Sequence, residues 1–253
     1  MREVKEMSVL ITGGGSGIGE GTARLFAAHG ARVTISGRRR DKIEAVAAAI
    51  GPACRAVVGD VTVQADREAM VAAALAHGGK LDVLVNNAGN MYKQSVDGYT
   101  EDFLKEAFNT NVVSGMMLAS ISVKHLEKTQ GSIIFIGSIH NRRAYPGASP
   151  YATSKAAVEG LTRVMAAELG PKQIRVCCIL PGAVATEINV RAGLQTTEEA
   201  AARYASFASQ HVLGRIGTDT ECAEAIEFLA CAEWVTGVAL EVDGGLGLGV
   251  SKF

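Results

Sequence analysis

"VLITGGGSGIGEGTARLF", residues 9–26, decides the fold. A short run of β-branched and aliphatic residues gives way to a glycine cluster. An apolar pattern with helical spacing follows. The strict GxGxxG spacing does not fit, because no start places glycine at all three positions. TGxxxGxG does fit, with Gly13, Gly17 and Gly19. Small residues there let the backbone approach a pyrophosphate, and the following helix presents free N–H groups and its positive dipole end. A glycine cluster alone can be a tight turn. Its place between a first strand and a helix argues for the phosphate-binding reading.

The same strand–helix alternation continues outward along all 253 residues. Strand-like runs are expected at 8–12, 31–36, 54–60, 81–89, 131–138, 174–182 and 238–245. Between them lie helical patterns, including a helix from about 100 to 127. The runs are rich in Val and Ile and apolar on both faces, as parallel strands covered by helices must be. Seven such units in series imply a single α/β domain over 1–253. Its architecture is a Rossmann-type, doubly wound, seven-stranded parallel sheet flanked by helices. No Pro- or Ser-rich linker divides the chain. Residues 187–217 break the rhythm before the last helix, and such an insertion suits a lid over a substrate site.

Composition narrows the function. Net charge is −1 and basic residues are dispersed, so neither nucleic acid nor an anionic membrane is an expected partner. No run reaches the roughly 18 apolar residues of a membrane span, and the first residues lack a secretory apolar region. The five cysteines form no CxxC pair and the five histidines lack ligand spacing. Reduced thiols, a cytoplasmic location and no metal site are therefore expected. Adjacent Cys177 and Cys178 should face opposite sides of one strand.

The second strand ends in "GRRRDK", 37–42. An acid there would hold a ribose 2′-hydroxyl, whereas a base accommodates a 2′-phosphate. Arg38 and Arg39 therefore favour NADP(H), with NAD(H) as the alternative. A solvated face at a helix start is the competing reading for these arginines. Asp60 and Val61 close the third strand near the adenine. Asn87, Ala88 and Gly89 close the fourth, where ligands bind at the carboxyl edge of such sheets.

"TGGGSGIG" (12–19), "DV" (60–61), "NNAG" (86–89), "NTNV" (109–112), "GS" (137–138), "YATSK" (151–155), "PG" (181–182) and "VDGG" (242–245) occur in this order. With them the chain resembles the classical short-chain dehydrogenase/reductase (SDR) family over essentially its whole length. The resemblance implies a catalytic tetrad of Asn111, Ser138, Tyr151 and Lys155. It implies cofactor contacts at Thr12, Gly13, Ser16, Ile18, Asp60, Val61, Asn87, Tyr151, Lys155, Pro181, Gly182, Val184 and Thr186. It also implies a homotetramer, or a dimer, built through the helices after strands four and five and through the last strand. The apolar tail 245–253 is compatible with such a contact. Ser16 stands where some NADP-dependent relatives carry a basic residue, which leaves the NADP(H) preference resting on Arg38 and its neighbours.

The chemistry can be argued from the residues themselves. Hydride exchange between a nicotinamide and a carbonyl or alcohol needs a group that handles the oxygen's proton. A phenol titrates near 10 and is a poor base at neutrality. An ammonium one helical turn away, as Lys155 is from Tyr151, is expected to favour the phenolate. Lys155 can also hydrogen-bond the nicotinamide ribose. Ser138 can donate to the substrate oxygen as charge develops there. Asn111, inside the expected helix, can hold a water that links Lys155 to solvent.

The substrate is less legible. His140, Tyr145, Met91 and Leu194 are candidate contacts, and Tyr92, Val190, Tyr204 and Phe207 are candidate apolar lining. Arg142 and Arg143 border this region, with solvation or subunit contact preferred over substrate binding. The expected activity is interconversion of a ketone or aldehyde with an alcohol, by a short-chain alcohol dehydrogenase or carbonyl reductase. The small-molecule alternatives are a polyol, sugar or hydroxysteroid dehydrogenase and a 3-oxoacyl-thioester reductase. A non-catalytic dinucleotide sensor conflicts with the presence of both Tyr151 and Lys155.

Overall fold

A computed structural model describes residues 1–249. The last four residues of the apolar tail, 250–253, lie outside the described residues. Seven parallel strands form one sheet in the order β3-β2-β1-β4-β5-β6-β7. They are β1 Ser8–Thr12, β2 Arg32–Gly37, β3 Cys54–Val58, β4 Val83–Asn86, β5 Ser132–Ile136, β6 Arg175–Pro181 and β7 Ala239–Val242. Helices α1 (Gly17–Ala28), α2 (Arg40–Ile50), α3 (Gln64–Gly78), α5 (Ser114–Thr129), α6 (Ser149–Leu169) and α9 (Asp219–Cys231) flank the sheet. Strand order reverses between β1 and β4, so a crevice opens where the chain leaves for opposite directions.

Side chains alternate between two cores. Val9, Ile11, Val33, Ile35, Ile134 and Ile179 pack with Phe26 and Ile226 on one face. Leu10, Leu84, Ile133, Phe135 and Leu180 pack with Met70 and Leu118 on the other. Cys177 joins the first core and Cys178 the second, the opposition that strand geometry requires. All five cysteines are free and buried.

The strands stop one to three residues short of several expected ends. The residues released, such as 87–89 after β4 and Gly137 and Ser138 after β5, turn out along the carboxyl edge instead of pairing. One element differs more. The helix expected over 100–127 is two helices, α4 (Glu101–Phe108) and α5, joined by a π-turn at Asn109–Val113. A π-turn inserts a residue into the helical ladder, and such turns cluster at functional sites. The 187–217 segment carries a one-turn helix, α7 (Ile188–Arg191), and a three-turn helix, α8 (Thr197–Ala208). Thr196 and Glu199 close a capping box at the start of α8, which satisfies two donors there.

Candidate active site

The glycine loop is shaped by close approach. Gly13 has φ +68° and Gly17 φ +56°, values that L side chains rarely adopt. A Cβ on Gly17 would lie 2.9 Å from Cγ2 of Thr186, so the loop after β6 closes directly over the first turn of α1. Thr12 and Asn87 hold the loop from behind. Thr12 Oγ1 accepts from the backbone N–H groups of Asn87 (3.1 Å) and Ala88 (2.9 Å). Asn87 Nδ2 donates to the carbonyls of Thr12 (2.8 Å) and Gly13 (3.1 Å). Thr12 and Gly19 lie under the loop and outside both large cavities. In this structure Thr12 is buried and Gly19 abuts the Gly13 carbonyl, so both support the loop from within.

Two cavities share Gly13, Ser16, Ala88, Gly89 and Arg191 as a common wall. One, of about 180 Å³, runs along the ends of β2 and β3 past Arg38, Arg39, Lys42, Asp60, Val61 and Tyr92. The other, of about 160 Å³, runs past Gly17 and Ile18 to Ser138, Tyr151, Lys155, Pro181, Gly182, Val184 and Thr186. A crevice with a helix N-terminus at its middle and backbone amides along its floor fits a dinucleotide.

Four cations line the first cavity: Arg38, Arg39, Lys42 and Arg191, against the acids Asp60 and Glu106. Arg38 is 68% exposed, and its guanidinium lies 3.6 Å from the Asp60 carboxylate. Partial burial raises the Asp60 carboxyl, but hydrogen bonds from Thr62 and the nearby Arg38 outweigh this and hold it below the usual range. Arg39 donates to Glu187 (2.9 Å) and to Ser16 Oγ (3.2 Å), tying the glycine loop to the lid segment.

Pro150, early in α6, helps set the helix start that delivers Tyr151 to the second cavity. Ser138 follows β5, and its Oγ accepts from the backbone N–H of His140 (3.2 Å) and lies 3.1 Å from His140 Nδ1. Lys155 Nζ donates to the Ile136 carbonyl (2.7 Å) and sits 5.7 Å from the Tyr151 ring centroid. Burial lowers the Lys155 ammonium to about 8. Burial raises the Tyr151 phenol, opposed by its hydrogen bond to Ser138 and by the charge of Arg191. The Lys155 ammonium, expected to favour the phenolate, is turned to the Ile136 carbonyl in this structure.

Asn111 lies in the π-turn, not in a regular helix. Its Oδ1 accepts from Asn90 N–H (2.9 Å), while Nδ2 donates to the Asn90 carbonyl (3.0 Å) and Ser154 Oγ (3.0 Å). The side chain is thus committed to bracing the loop after β4. A separate cavity of about 10 Å³ lies between Asn111, Ser114 and Lys155, close to the room that one water needs.

On the substrate side, Met91, His140, Tyr145, Tyr204 and Phe207 line the second cavity. Leu194 and Val190 do not. Leu194 is 38% exposed, and the single turn of α7 points Ile188 and Arg191 inward instead. Tyr92 lines the first cavity, bonded to Glu106 and Thr110 (both 3.1 Å). Tyr204 Oη donates to the Thr186 carbonyl (2.9 Å) and accepts from its N–H (3.2 Å). Arg142 pairs with Glu159 and Glu241, and Arg143 donates to the Leu246 carbonyl; neither lines the cavity. Sequence reasoning missed Arg191, which donates to the Gly89 carbonyl (2.6 Å) across the junction of the two cavities. Lys42 and Arg203 were missed as well. Among the described residues no cluster of His, Cys, Asp or Glu could hold a metal ion.

A family model described as enoyl-(acyl carrier protein) reductase matches residues 13–247. Glucose 1-dehydrogenase of Gluconobacter oxydans is 37% identical over 250 residues, covering 95% of this chain and 91% of the relative. Human mitochondrial dehydrogenase/reductase SDR family member 2 is 35% identical over 242 residues, covering 93% and 84%. The crystal structure of a 3-ketoacyl-(acyl-carrier-protein) reductase from Brucella melitensis, complexed with NADH, superposes with a TM-score of 0.88. It is 34% identical and covers 96% of this chain and 99% of its own. On fold, site and kinship together, the chain belongs to the classical short-chain dehydrogenase/reductase family, whose members are NAD(P)-binding oxidoreductases.

Proposed function

We propose that this oxidoreductase reversibly reduces a ketone or aldehyde to an alcohol with NADP(H), Tyr151 serving as general acid and base. One observation carries the reading: Tyr151, Ser138 and Lys155, from α6 and the end of β5, line the cavity that continues from the glycine loop. The bound nicotinamide supplies the hydride. Ser138 donates to the substrate oxygen, whose growing negative charge strengthens that bond. Tyr151 gives that oxygen its proton. Its raised affinity for the proton keeps it in the acid form needed for reduction. In the oxidative direction the positive charge of the bound nicotinamide favours the phenolate. Lys155 holds a proton at Nζ, and the small cavity beside it and Asn111 has room for about one water to exchange that proton. Thr186, clamped by Tyr204, and the backbone of Gly182 and Val184 orient the nicotinamide ring.

The NADP(H) preference rests on the cationic first cavity, where Arg38 and Lys42 can meet a 2′-phosphate. The NADH in the Brucella relative makes NAD(H) the competing cofactor. The same similarity makes a 3-oxoacyl-thioester the competing substrate. Val113 at the end of the π-turn and Met116 and Met117 of α5 are exposed, and Trp234 is fully exposed, which supports assembly into a homotetramer. The test of function is oxidation of NADPH and of NADH against a carbonyl panel that includes a 3-oxoacyl-thioester. Turnover of simple carbonyls, faster with NADPH, is expected. Turnover of thioesters alone, or with NADH alone, would overturn the assignment.

A further inference from the structure

The second cavity holds three buried polar atoms that have no hydrogen-bond partner among the described residues: His140 Nε2, Tyr145 Oη and Asn189 Oδ1. Native interiors pair nearly all such atoms, so several in one cavity point to a ligand that pairs them. The first two stand beside the reacting group. The His140 ring meets Tyr151 edge-on at 5.1 Å, and Tyr145 packs on His140 at 4.4 Å. Phe207 of α8 continues the ladder 6.2 Å beyond Tyr145.

The proton on His140 decides what kind of group is wanted. Ser138 has one proton, and the reaction needs it aimed at the substrate oxygen. Its Oγ already accepts from the His140 backbone. In a substrate complex of the proposed reaction, Nδ1–H of His140 is then the donor to Oγ, which leaves Nε2 as a bare acceptor. The imidazole is neutral, because burial lowers it to about 4, with the charges of Lys93 and Arg203 acting in the same direction. A neutral acceptor attracts a hydroxyl and repels a carboxylate or phosphate. The amide oxygen of Asn189 makes the same demand.

We infer that the substrate carries a hydroxyl on the carbon beside its carbonyl, held by His140 Nε2 and Tyr145 Oη, so that the enzyme interconverts α-hydroxy carbonyl compounds and vicinal diols. This deepens the oxidoreductase reading above and rests on it. In reduction the carbonyl carbon gains the hydride that the nicotinamide supplies. The C=O π pair moves to oxygen, which takes the Tyr151 proton. The neighbouring hydroxyl keeps its own proton and donates it to Nε2. The carbonyl is reduced by two electrons and the nicotinamide is oxidised by two. A site built to pair a hydroxyl discriminates strongly against the analogue that lacks it.

Matched pairs test this: acetoin against 2-butanone, and 2-hydroxyacetophenone against acetophenone, each with NADPH and NADH. The wild-type kcat/KM ratio of hydroxy to plain ketone is expected to exceed about thirtyfold. In Tyr145→Phe and in His140→Leu the ratio should fall at least about tenfold, which cancels any intrinsic reactivity difference between the ketones. Tyr145→Phe keeps the ring ladder and removes an unpaired hydroxyl, so its thermal midpoint should not drop. Plain ketones turned over as well as hydroxy ketones would overturn the inference while leaving the oxidoreductase reading intact. So would a ratio unchanged in both variants, or a preference for 2-oxo acids. No turnover of any carbonyl with either nucleotide would overturn the oxidoreductase reading itself.

Discussion

At the scale of single residues, the site is organised by a few protons and charges. Burial keeps the Tyr151 phenol protonated, Lys155 is committed to a backbone carbonyl, and His140 is held neutral. The last has a stability consequence. His140 titrates at about 4 when folded and near its usual 6.5 when unfolded, so between those values the unfolded chain binds the extra proton. Its contribution to stability is complete above pH 6.5 and is lost as the pH falls through about 4. His140→Leu should therefore show a shallower fall in thermal midpoint between pH 6.5 and 4 than wild type. Parallel curves would contradict the buried neutral imidazole. At the other end of the site, Arg38→Asp should weaken NADPH binding relative to NADH by more than about tenfold, near 1.4 kcal/mol. Titration of both nucleotides checks this, and an unchanged ratio would remove Arg38 from the 2′-phosphate site. Arg38 and Lys155 show how far the sequence could be read. Arg38 was legible because strand ends are marked by composition. The turn of Lys155 toward Ile136 was not, because a side chain 19 positions from its partner leaves no spacing signal.

At the scale of elements, the glycine loop, the lid segment and the π-turn matter most. The loop was readable because Gly13 and Gly17 answer a backbone requirement that few other residues meet. Gly17→Ala should cost about 1–2 kcal/mol from its left-handed φ alone, and more because the new Cβ meets Thr186. Chemical denaturation checks the stability, and weaker binding of both nucleotides should accompany the loss. A variant as stable as wild type would show that the loop relaxes freely. The seven strands were readable because runs apolar on both faces suit only covered parallel strands. The π-turn was hidden, since "NTNV" carries no breaker and reads as ordinary helix. The inward set of α7 was hidden too. A one-turn helix has too few residues for a periodic pattern, so Leu194 and Val190 were expected where Ile188, Asn189 and Arg191 stand.

At the scale of the whole molecule, one sheet with a reversal between β1 and β4 brings the carboxyl ends of its strands to the two cavities. No helix of the described residues is long and apolar enough to cross a membrane. The proposed tetramer predicts a solution mass four times 26.4 kDa by light scattering, and Met116→Lys with Met117→Lys should lower it. A monomeric wild type would contradict the assembly. The account as a whole turns on the phenol of Tyr151. In Tyr151→Phe the ring and its packing on His140 persist while the transferable proton is gone. Steady-state oxidation of NADPH by a carbonyl substrate should fall at least about a hundredfold, with nucleotide affinity held within about threefold by fluorescence titration. Carbonyl reduction by Tyr151→Phe at the wild-type rate would contradict the central claim.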